Sequence, residues 1–375
     1  MKKILLVTRP IAPPWDEASK NFAYYLARNI TGIEMHLMTK GELPDMPKNV
    51  CQHPIYTASQ NDITFSQKIK SLIFQWRNKN TFDVAHYFFT PTNLNSFLIK
   101  NFLSSIKTKS IQTVATLRED LYSDAEIKNL MLGNLIITYS DYARNKLAAL
   151  GFKNVKRVYP GIDLEKYQPR AKNPELLEKC GFTDKDFVIN FTGEYTRLNA
   201  IDDVIDSFIL ITEKIPSARL SLAVRVKNER DATKKKEVIK KLKDHNIQEK
   251  VSFHDDNADF RKFDMSDVYN LSDISLFPVQ NMRGKFDIPL AVVEAMACAK
   301  PVILSDLPIL AELGNEQNAV TIKSGDVSGI TTAILDLYNH PEKRAAIGSA
   351  AQKFVTDRFD IKKVAEVYEQ IYKEL

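Results

Sequence analysis

The chain of 375 residues has few cysteines and no long hydrophobic run, and each absence excludes a class of protein. Cys51, Cys180 and Cys298 are widely spaced, with no Cys-x-x-Cys motif and no Cys/His cluster. This argues against disulfides and structural zinc and fits a reducing cytoplasm. No stretch reaches the roughly 18 apolar residues of a membrane span. The apolar run after Met1 stops at Arg9, which indicates a first buried strand rather than a signal peptide.

Charge is uneven along the chain. Residues 1–165 contain 21 lysines and arginines against 14 acidic residues, whereas the remainder contains 31 against 33. A basic first half favours an anionic partner such as phosphate, a membrane surface or nucleic acid. An ordinary lysine-rich surface explains the same excess. No basic patch interleaved with aromatic residues follows a known nucleic-acid-binding module, so we expect no nucleic-acid partner.

Short apolar runs alternate with amphipathic stretches in both halves of the chain, which predicts an α/β protein with two parallel sheets. The first-half strands are predicted at 3–8, 34–39, 84–89, 113–117 and 135–139, and the second-half strands at 187–192, 218–226, 250–254, 274–278 and 301–304. The rhythm breaks at 153–169, around a Pro-Gly turn. We therefore predict Rossmann-like domains at 1–165 and 166–356, with a C-terminal helix at about 357–375 packed back on the first. Two such domains form a cleft, where ligands meet the carboxyl ends of the strands.

The strongest local signal is Glu294, which lies in an otherwise apolar predicted helix. Burying a carboxylate there without a partner is costly. A carboxylate so placed can accept two hydrogen bonds from a diol such as ribose. Capping of its own helix, or a pair with a nearby lysine, explains it equally well.

Five short segments in register resemble the retaining GT-B glycosyltransferases of family 4. Glu294-Ala-Met-Ala-Cys-Ala-Lys-Pro301-Val-Ile resembles the family's "EAMA-x-GKPVI" string. Four earlier segments agree in order, at 136–151, 158–163, 191–193 and 271–278. The resemblance spans nearly the whole chain and implies the GT-B fold, with two Rossmann-like domains facing across a cleft.

By this resemblance the second domain binds a nucleoside-diphosphate-sugar donor and the first an acceptor. The family needs no metal or other cofactor, because cationic side chains and helix-start N–H groups hold the diphosphate. The anomeric configuration is retained. Glu294 is implied to hold the donor ribose, and Gly193, His254 and Leu290 to contribute to donor binding.

The sequence departs from the family pattern at the first glutamate of the Glu-x7-Glu motif, where Phe286 stands. We expect Asp287 to serve the donor sugar instead. Lys285 is expected to offset the N–H that Pro289 lacks. A branch of the family with a Lys-x-Asp-x-Pro-Leu string favours a divergent enzyme over an inactive one.

Glu194 and Asn199 occupy the positions of the family's phosphate-binding cations. Arg197 lies between them and is expected to reach the diphosphate with its guanidinium fork. Its alternative is a solvated loop cation. Arg225 and Lys227 end the next strand and are assigned to donor binding, although charges are common at strand ends.

The loop after the first strand carries the candidate acceptor-binding residues Trp15, Asp16, Glu17 and Ser19. Family members usually have Gly-Gly where Glu17-Ala18 stands, so contacts by side chains are expected. Trp15 either packs on a sugar or covers the core, and Ser19 also fits a helix N-cap.

Arg118 stands where the family often places a histidine facing the donor sugar. We name Arg118, Asp287 and Arg197 as candidate catalytic residues. For Arg118 the alternative is a salt bridge with Glu119 or Asp120.

The stretch 65–79 is amphipathic, with Ile69, Leu72, Ile73 and Trp76 against four basic residues. It predicts either peripheral contact with the cytoplasmic face of an anionic membrane or a core-packed helix with a basic outer face.

The sequence thus predicts a cytoplasmic, metal-independent hexosyltransferase that uses a glycan or lipid-linked acceptor in cell-surface polysaccharide or glycolipid synthesis. The alternative is a non-catalytic GT-B protein that binds a sugar nucleotide or a glycan, or partners another transferase.

Overall fold

The computed structural model describes residues 1–12, 18–56, 64–89, 92–104, 107–254 and 262–375, and it divides into two units. Unit 1 comprises Met1–Asp163, Gly284–Ile288 and Arg358–Leu375, and unit 2 comprises Leu164–Arg283 and Pro289–Asp357. Each unit is built on one parallel sheet.

Unit 1 is a seven-stranded parallel sheet of short, buried apolar strands. Its strands are β1 (Lys3–Ile11), β2 (Glu34–Thr39), β3 (Val50–His53), β4 (Val84–Phe88), β5 (Lys109–Val114), β6 (Leu135–Thr138) and β7 (Val155–Arg157). They lie in the order β3-β2-β1-β4-β5-β6-β7. The order reverses between β1 and β4, the point at which ligands of such sheets usually bind.

The helices of unit 1 cover this sheet. They are α1 (Ala18–Asn29), α2 (Phe65–Arg77), α3 (Asn93–Leu98), α4 (Asp124–Leu130) and α5 (Asp141–Ala149). Helix α3 continues into a π-helical turn at Ile99–Leu103. Phe22 of α1 is buried against Phe88 and Tyr139, as its place at the start of the apolar face predicts.

The chain returns to unit 1 at its end, where α13 (Ile361–Glu374) packs beside α1. A buried polar chain fastens it to the sheet: His86 Nδ1 lies 2.7 Å from Tyr372 Oη, and His86 Nε2 lies 2.7 Å from Thr113 Oγ1. Burial lowers the pKa of His86 to about 3, so the ring is neutral at pH 7. Each ring nitrogen therefore has a hydroxyl partner.

Unit 2 repeats the alternation of strands and helices. Its strands are β8 (Phe187–Glu194), β9 (Ala218–Arg225), β10 (Val251–Phe253), β11 (Ile274–Phe277), β12 (Val302–Ser305) and β13 (Val320–Ile322). Its helices are α6 (Pro174–Cys180), α7 (Ile201–Lys214), α8 (Glu229–Asp244), α9 (Met265–Leu271), α10 (Leu290–Ala297), α11 (Val327–Asn339) and α12 (Pro341–Arg358), the last of which ends at the boundary between the units. The parallel order is β10-β9-β8-β11-β12-β13, with its reversal between β8 and β11.

The predicted strands of both sheets are present, with shifted ends. Strand β5 begins at Lys109 rather than Thr113, because the backbone of residues 109–112 already pairs with β4 in parallel register despite their mostly polar side chains. Strands β3 and β13 were not anticipated, and β7 lies in the segment 153–169 where the rhythm breaks. Among the described residues, no helix combines the length and apolar character that a membrane span requires.

Candidate functional site

The reversal of strand order in unit 2 brings several predicted residues to one edge of the sheet. Gly193 and Glu194 end β8, and Arg225 ends the neighbouring β9, paired directly with Glu194. Helix α10, which carries Glu294, follows β11 on the other side of the reversal. These positions are the carboxyl ends of parallel strands, where binding residues of α/β folds gather.

Glu294 lies in the second turn of α10 and is held by two phenols. Tyr269 Oη donates to Glu294 Oε2 at 3.0 Å, and Tyr167 donates a second hydrogen bond to the carboxylate. Tyr269, on α9, is fully buried and also bonds to Thr192 of β8. This bridge fixes Glu294 beside the end of β8.

The surroundings of Glu294 oppose its ionisation. Burial raises the pKa of Glu294 to about 7, while the two tyrosine hydroxyls and the nearby Lys166 limit the rise. Lys166 also lies 3.9 Å from the Asp264 carboxylate. The negative charge of Asp264 raises the pKa of Glu294 and so opposes the effect of Lys166. A partly buried carboxylate with a perturbed pKa at this edge is a functional-site signal. Neither helix capping nor a direct lysine pair accounts for it.

Glu194 forms ion pairs with two cationic side chains at the end of β8. Its carboxylate accepts both arms of the Arg197 guanidinium and lies 3.0 Å from Lys227 Nζ. Glu194 is buried, whereas both cations are partly exposed. Arg197 is therefore not the purely solvated cation of the alternative interpretation.

The backbone around this cation group is shaped by two residues of the sequence motif. Asn199 has φ +53°, a left-handed conformation that asparagine tolerates better than most residues. Gly193 lies against the buried Phe191 ring, and a Cβ there would come within 2.4 Å of the ring carbon Cζ. Gly193 is thus required by local packing.

The other predicted donor residues of unit 2 differ in their surroundings. Arg225 is partly exposed at the strand end, and Leu290 is the partly exposed first residue of α10. The start of α10 has no side-chain cap among the described residues, since Pro289 precedes it.

His254 is buried, with Nε2 3.0 Å from Ser221 Oγ, and burial lowers the pKa of His254 to about 4. Its Nε2 faces the sheet interior rather than the open edge.

Asp287 lies in the segment 284–288, which belongs to unit 1. It is 1% exposed, and its carboxylate accepts from the Leu117 N–H and the Ser140 hydroxyl, both at 3.2 Å. Its own N–H donates to the Ala115 carbonyl at 2.9 Å. The expectation that this carboxylate reaches out to a sugar does not fit such burial, since each oxygen accepts a hydrogen bond from unit 1.

The rest of this segment is equally anchored. The Lys285 carbonyl accepts from the Thr116 hydroxyl at 2.7 Å, and Phe286 packs edge-on against Tyr139 at 5.5 Å. The residue that replaces the motif's first glutamate is therefore part of the packing of unit 1.

Arg118 lies next to these contacts and is paired. Its Nε and Nη2 bind the two Asp120 oxygens at 2.8 and 2.9 Å, which is the salt bridge that the sequence left open.

Ser19, a candidate acceptor-binding residue, is the second residue of α1 and so lies inside the helix rather than at its N-cap. Trp15, Asp16 and Glu17 lie outside the described residues.

Sequence reasoning missed the aromatic support of Glu294. Tyr167 and Tyr269 lie 127 and 25 residues from it and belong to no motif that we identified. The available signal was weak: Tyr269 precedes the Ser-Asp of the 271–278 segment and lies inside a short predicted helix.

Helix α2 of unit 1 buries two glutamines and exposes four apolar side chains. Gln67 and Gln75 are buried, whereas Phe65, Ile69, Ile73 and Trp76 are 78, 40, 44 and 56% exposed. Leu72 packs on the core as expected. The helix is thus core-packed with an exposed basic face, as one of the two interpretations predicts, but Ile69, Ile73 and Trp76 do not take part in that packing.

Known proteins resemble both the sequence and the fold. Residues 172–354, just under half of the chain, match the family model described as Glycosyl transferases group 1. Over 242 residues the chain is 26% identical to a putative glycosyltransferase, EpsD, of Bacillus subtilis, covering 64% of this chain and 59% of that one. Over 251 residues it is 25% identical to the capsular polysaccharide biosynthesis glycosyltransferase CapM of Staphylococcus aureus, with the same two coverages. The matched part thus spans less than two thirds of these relatives' length.

Solved structures match along the whole chain. Anabaena HepE in complex with UDP and glucose has a TM-score of 0.75 at 16% identity, covering 100% of both chains. Sucrose-phosphate synthase from Thermosynechococcus elongatus has a TM-score of 0.74 at 15% identity, covering 100% of this chain and 99% of that one. The fold, with its two Rossmann-like units, is GT-B.

Proposed function

We propose that the chain is a retaining, metal-independent glycosyltransferase, on the basis of the family match of residues 172–354 and the arrangement around Glu294. It moves a sugar from a nucleoside diphosphate to a glycan or lipid-linked acceptor, in cell-surface polysaccharide or glycolipid synthesis. The relatives support this class: CapM is named for capsular polysaccharide biosynthesis, and HepE was solved with UDP-glucose.

The observation that carries the proposal is the Glu294 carboxylate. Two phenols orient it, and burial makes its charged form costly, so a ligand that donates hydrogen bonds to it is favoured. A ribose diol supplies two such donors. We propose that Glu294 binds the ribose of the donor.

The diphosphate is assigned to the cations at the end of β8 and β9 and to the start of α10. Arg197 and Lys227 both contact the Glu194 carboxylate, and Arg225 ends the neighbouring strand, so three cationic side chains lie at this edge of the sheet. Helix N-termini without a side-chain cap favour anions. As the anomeric C–O bond to phosphate breaks and the bond to the acceptor oxygen forms, these groups stabilise the leaving diphosphate, which takes up the acceptor's proton.

The role of Asp287 is revised accordingly. We propose that it positions the segment 284–288 and that Lys285, which this segment carries, remains the candidate contact for the donor. Arg118 is retained as a candidate catalytic residue, oriented by Asp120.

A non-catalytic sugar-nucleotide-binding protein is the second candidate. It is favoured by the Glu194 carboxylate, which occupies both Arg197 and Lys227. In this case the site binds nucleotide, but the donor's anomeric bond stays intact.

A ligand panel followed by a turnover assay tests both candidates. We expect one of the UDP, GDP, ADP or TDP series to raise the melting temperature equally with and without magnesium. A ligand at 100 times its Kd adds about 2.7 kcal/mol of stability. Release of nucleoside diphosphate from the matching sugar nucleotide supports catalysis. Binding without turnover supports the second candidate, and no binding in any series contradicts both.

Arg197 and Arg230 make a matched pair for the cation assignment. Arg230 is exposed near the start of α8, outside the cation group. We expect Arg197→Ala to reduce donor turnover more than Arg230→Ala. Equal losses would contradict a specific role for Arg197.

The exposed side of α2 supports peripheral membrane binding by unit 1. We define the apolar patch as Phe65, Ile69, Ile73 and Trp76, with Phe97 and Phe102 exposed on the adjoining helical segment. Lys68, Lys70 and Arg77 are exposed around it. Apolar side chains ringed by cations match a surface of anionic lipid.

Vesicle co-sedimentation tests this contact. We expect binding to vesicles that contain phosphatidylglycerol and weak binding to phosphatidylcholine alone. Ile73→Ser with Trp76→Ser should abolish binding, and Lys68→Gln with Lys70→Gln should reduce it. Leu210→Ser, an equally exposed apolar position in unit 2, is the control. Unchanged binding by the α2 variants would overturn this role.

A further inference from the structure

A second cluster of reactive side chains lies on the edge of the unit 1 sheet, away from the groups described above. Strand β3 is the edge strand, and it pairs in parallel with β2 so that His36 faces Cys51. Because side chains alternate along a strand, Glu34 lies on the same face as His36, and His53 on the same face as Cys51. Four potential metal ligands therefore share one face at the edge.

The donor atoms of three of these residues converge. His36 Nε2 lies 2.9 Å from Glu34 Oε1, and Cys51 Sγ lies 4.0 Å from the same oxygen. Within the described part of the chain, one ligand atom from each of Glu34, His36 and Cys51 lies within 4.8 Å of the others. Ligands about 2.0–2.3 Å from a tetrahedral ion lie roughly 3.3–3.8 Å apart, so small side-chain adjustments suffice.

His53 is placed to orient His36. Its Nε2 lies 2.9 Å from His36 Nδ1, and the two rings are stacked. If Nε2 of His36 binds an ion, its proton resides on Nδ1 and is donated to His53, the second hydrogen bond that metal-binding histidines usually make. Phe82 and Phe74 pack against the two rings and limit their rotation.

The cluster is open to solvent on one side. Lys3 Nζ lies 3.7 Å from Glu34 Oε1, so a bound metal ion displaces this exposed ammonium from the carboxylate. His36 is buried, whereas Glu34 and Cys51 are partly exposed, so an ion can enter from solvent.

We propose that Glu34, His36 and Cys51 bind a borderline-soft divalent ion, best matched by Zn²⁺, with water as the fourth ligand. Mixed sulfur, nitrogen and oxygen donors favour zinc over the all-oxygen preference of magnesium or calcium. Binding forms a metal–sulfur bond and releases the thiol proton to solvent. The ion links β3 to β2 and so secures a four-residue edge strand.

Sequence spacing conceals this cluster. Fourteen residues lie between His36 and Cys51, and the expectation of no structural zinc rested on the absence of a compact Cys/His motif. Only the parallel register of β2 and β3 brings the two side chains together.

Co²⁺ substitution provides a direct test on the full chain. We expect one equivalent of Co²⁺ to bind with tetrahedral d–d bands and a sulfur-to-cobalt charge-transfer band, and Zn²⁺ to displace it. Cys51→Ser should abolish the charge-transfer band, and His36→Gln and Glu34→Gln should weaken binding at least tenfold. His53→Gln should weaken it about 10- to 100-fold, as expected for a residue that orients a ligand.

Two controls separate this site from other thiols and imidazoles. Cys180→Ser removes a thiol that lies 3.8 Å from His254, and His340→Gln removes an exposed histidine beside Asp336. Both should leave the cobalt spectrum unchanged. No stoichiometric binding, or a charge-transfer band that survives Cys51→Ser, would overturn the proposal. Neither result depends on glycosyl transfer, since the readout is metal binding.

Discussion

The segment 284–288 and helix α10 are neighbours in sequence, yet they treat a carboxylate in opposite ways. Asp287 belongs to unit 1 and accepts hydrogen bonds from a backbone N–H and a hydroxyl of that unit. Glu294, seven residues later in unit 2, is held by phenols in surroundings that raise its pKa to about 7. The Asp287 carboxylate accepts one hydrogen bond from unit 1 at each oxygen, whereas the Glu294 carboxylate is oriented by phenols but has no cation that fully balances its charge.

Within the segment 284–294, the two carboxylates can be assigned different roles from their partners: one positions the backbone and the other binds a ligand. A buried carboxylate whose oxygens both accept from the fold contributes to stability and offers little to a ligand. A carboxylate kept partly buried without a full cationic partner reduces stability in its charged form. Such a cost is typical of functional sites.

The largest expected effect is on the stability of unit 1. Asp287→Ala leaves the Leu117 N–H and Ser140 hydroxyl without their acceptor, and hydrogen bonds to a charged group contribute about 1.5–3 kcal/mol each. We expect the free energy of unfolding to fall by about 3 kcal/mol, measured by urea denaturation. Asp287→Asn should recover part of the loss, since its amide oxygen still accepts from Leu117. If Asp287→Ala were as stable as the wild type but lost turnover, Asp287 would act in the reaction rather than in the fold.

The second effect is on ligand affinity. Glu294→Ala removes the acceptor of the ribose hydroxyls, and we expect nucleotide affinity to fall about tenfold or more, measured by calorimetry. The fold should persist, because the lost partners are two phenols rather than backbone groups. Asp287→Asn, if folded, should bind nucleotide like the wild type. Unchanged affinity in Glu294→Ala would remove the basis of the proposed function.

The third effect is that ionisation of Glu294 lowers the stability of the fold and raises nucleotide affinity as the pH increases. With a folded pKa near 7 against 4.5 when unfolded, Glu294 favours the folded state below pH 4.5 and loses that contribution as the pH rises to 7. Glu294→Gln should therefore gain about 1–3 kcal/mol of stability relative to wild type at pH 8 compared with pH 4.5.

Nucleotide affinity should change in the other direction. The charged carboxylate accepts the ribose hydrogen bonds, so wild-type affinity should fall by up to tenfold per unit below pH 7. Glu294→Gln should lack this dependence, once titration of the ligand itself is subtracted. An identical pH profile in both proteins would contradict the role of this carboxylate.

The fold was largely predictable because buried apolar runs and amphipathic helices leave a periodic signal. Glu294 was identifiable for a related reason, since a charge in an apolar helix is conspicuous in the sequence. The function of Asp287 was not, because its partners Leu117 and Ser140 are 170 and 147 residues distant in the sequence. The exposed side of α2 was also ambiguous, because periodicity identifies an apolar face but not the side that faces the core.

The smallest effect concerns Phe286, which stands in place of the motif's first glutamate. Its ring packs edge-on against Tyr139 at 5.5 Å, and such a pair contributes about 0.5–1.5 kcal/mol beyond the burial of area. Phe286→Leu should thus lower the stability of unit 1 by about 1 kcal/mol while nucleotide affinity stays unchanged, measured by urea denaturation and calorimetry. Phe286→Tyr keeps the ring and is the matched control. If Phe286→Leu weakened nucleotide binding without loss of stability, the segment 284–288 would belong with Glu294 among the ligand contacts, and the contrast between the two would not hold.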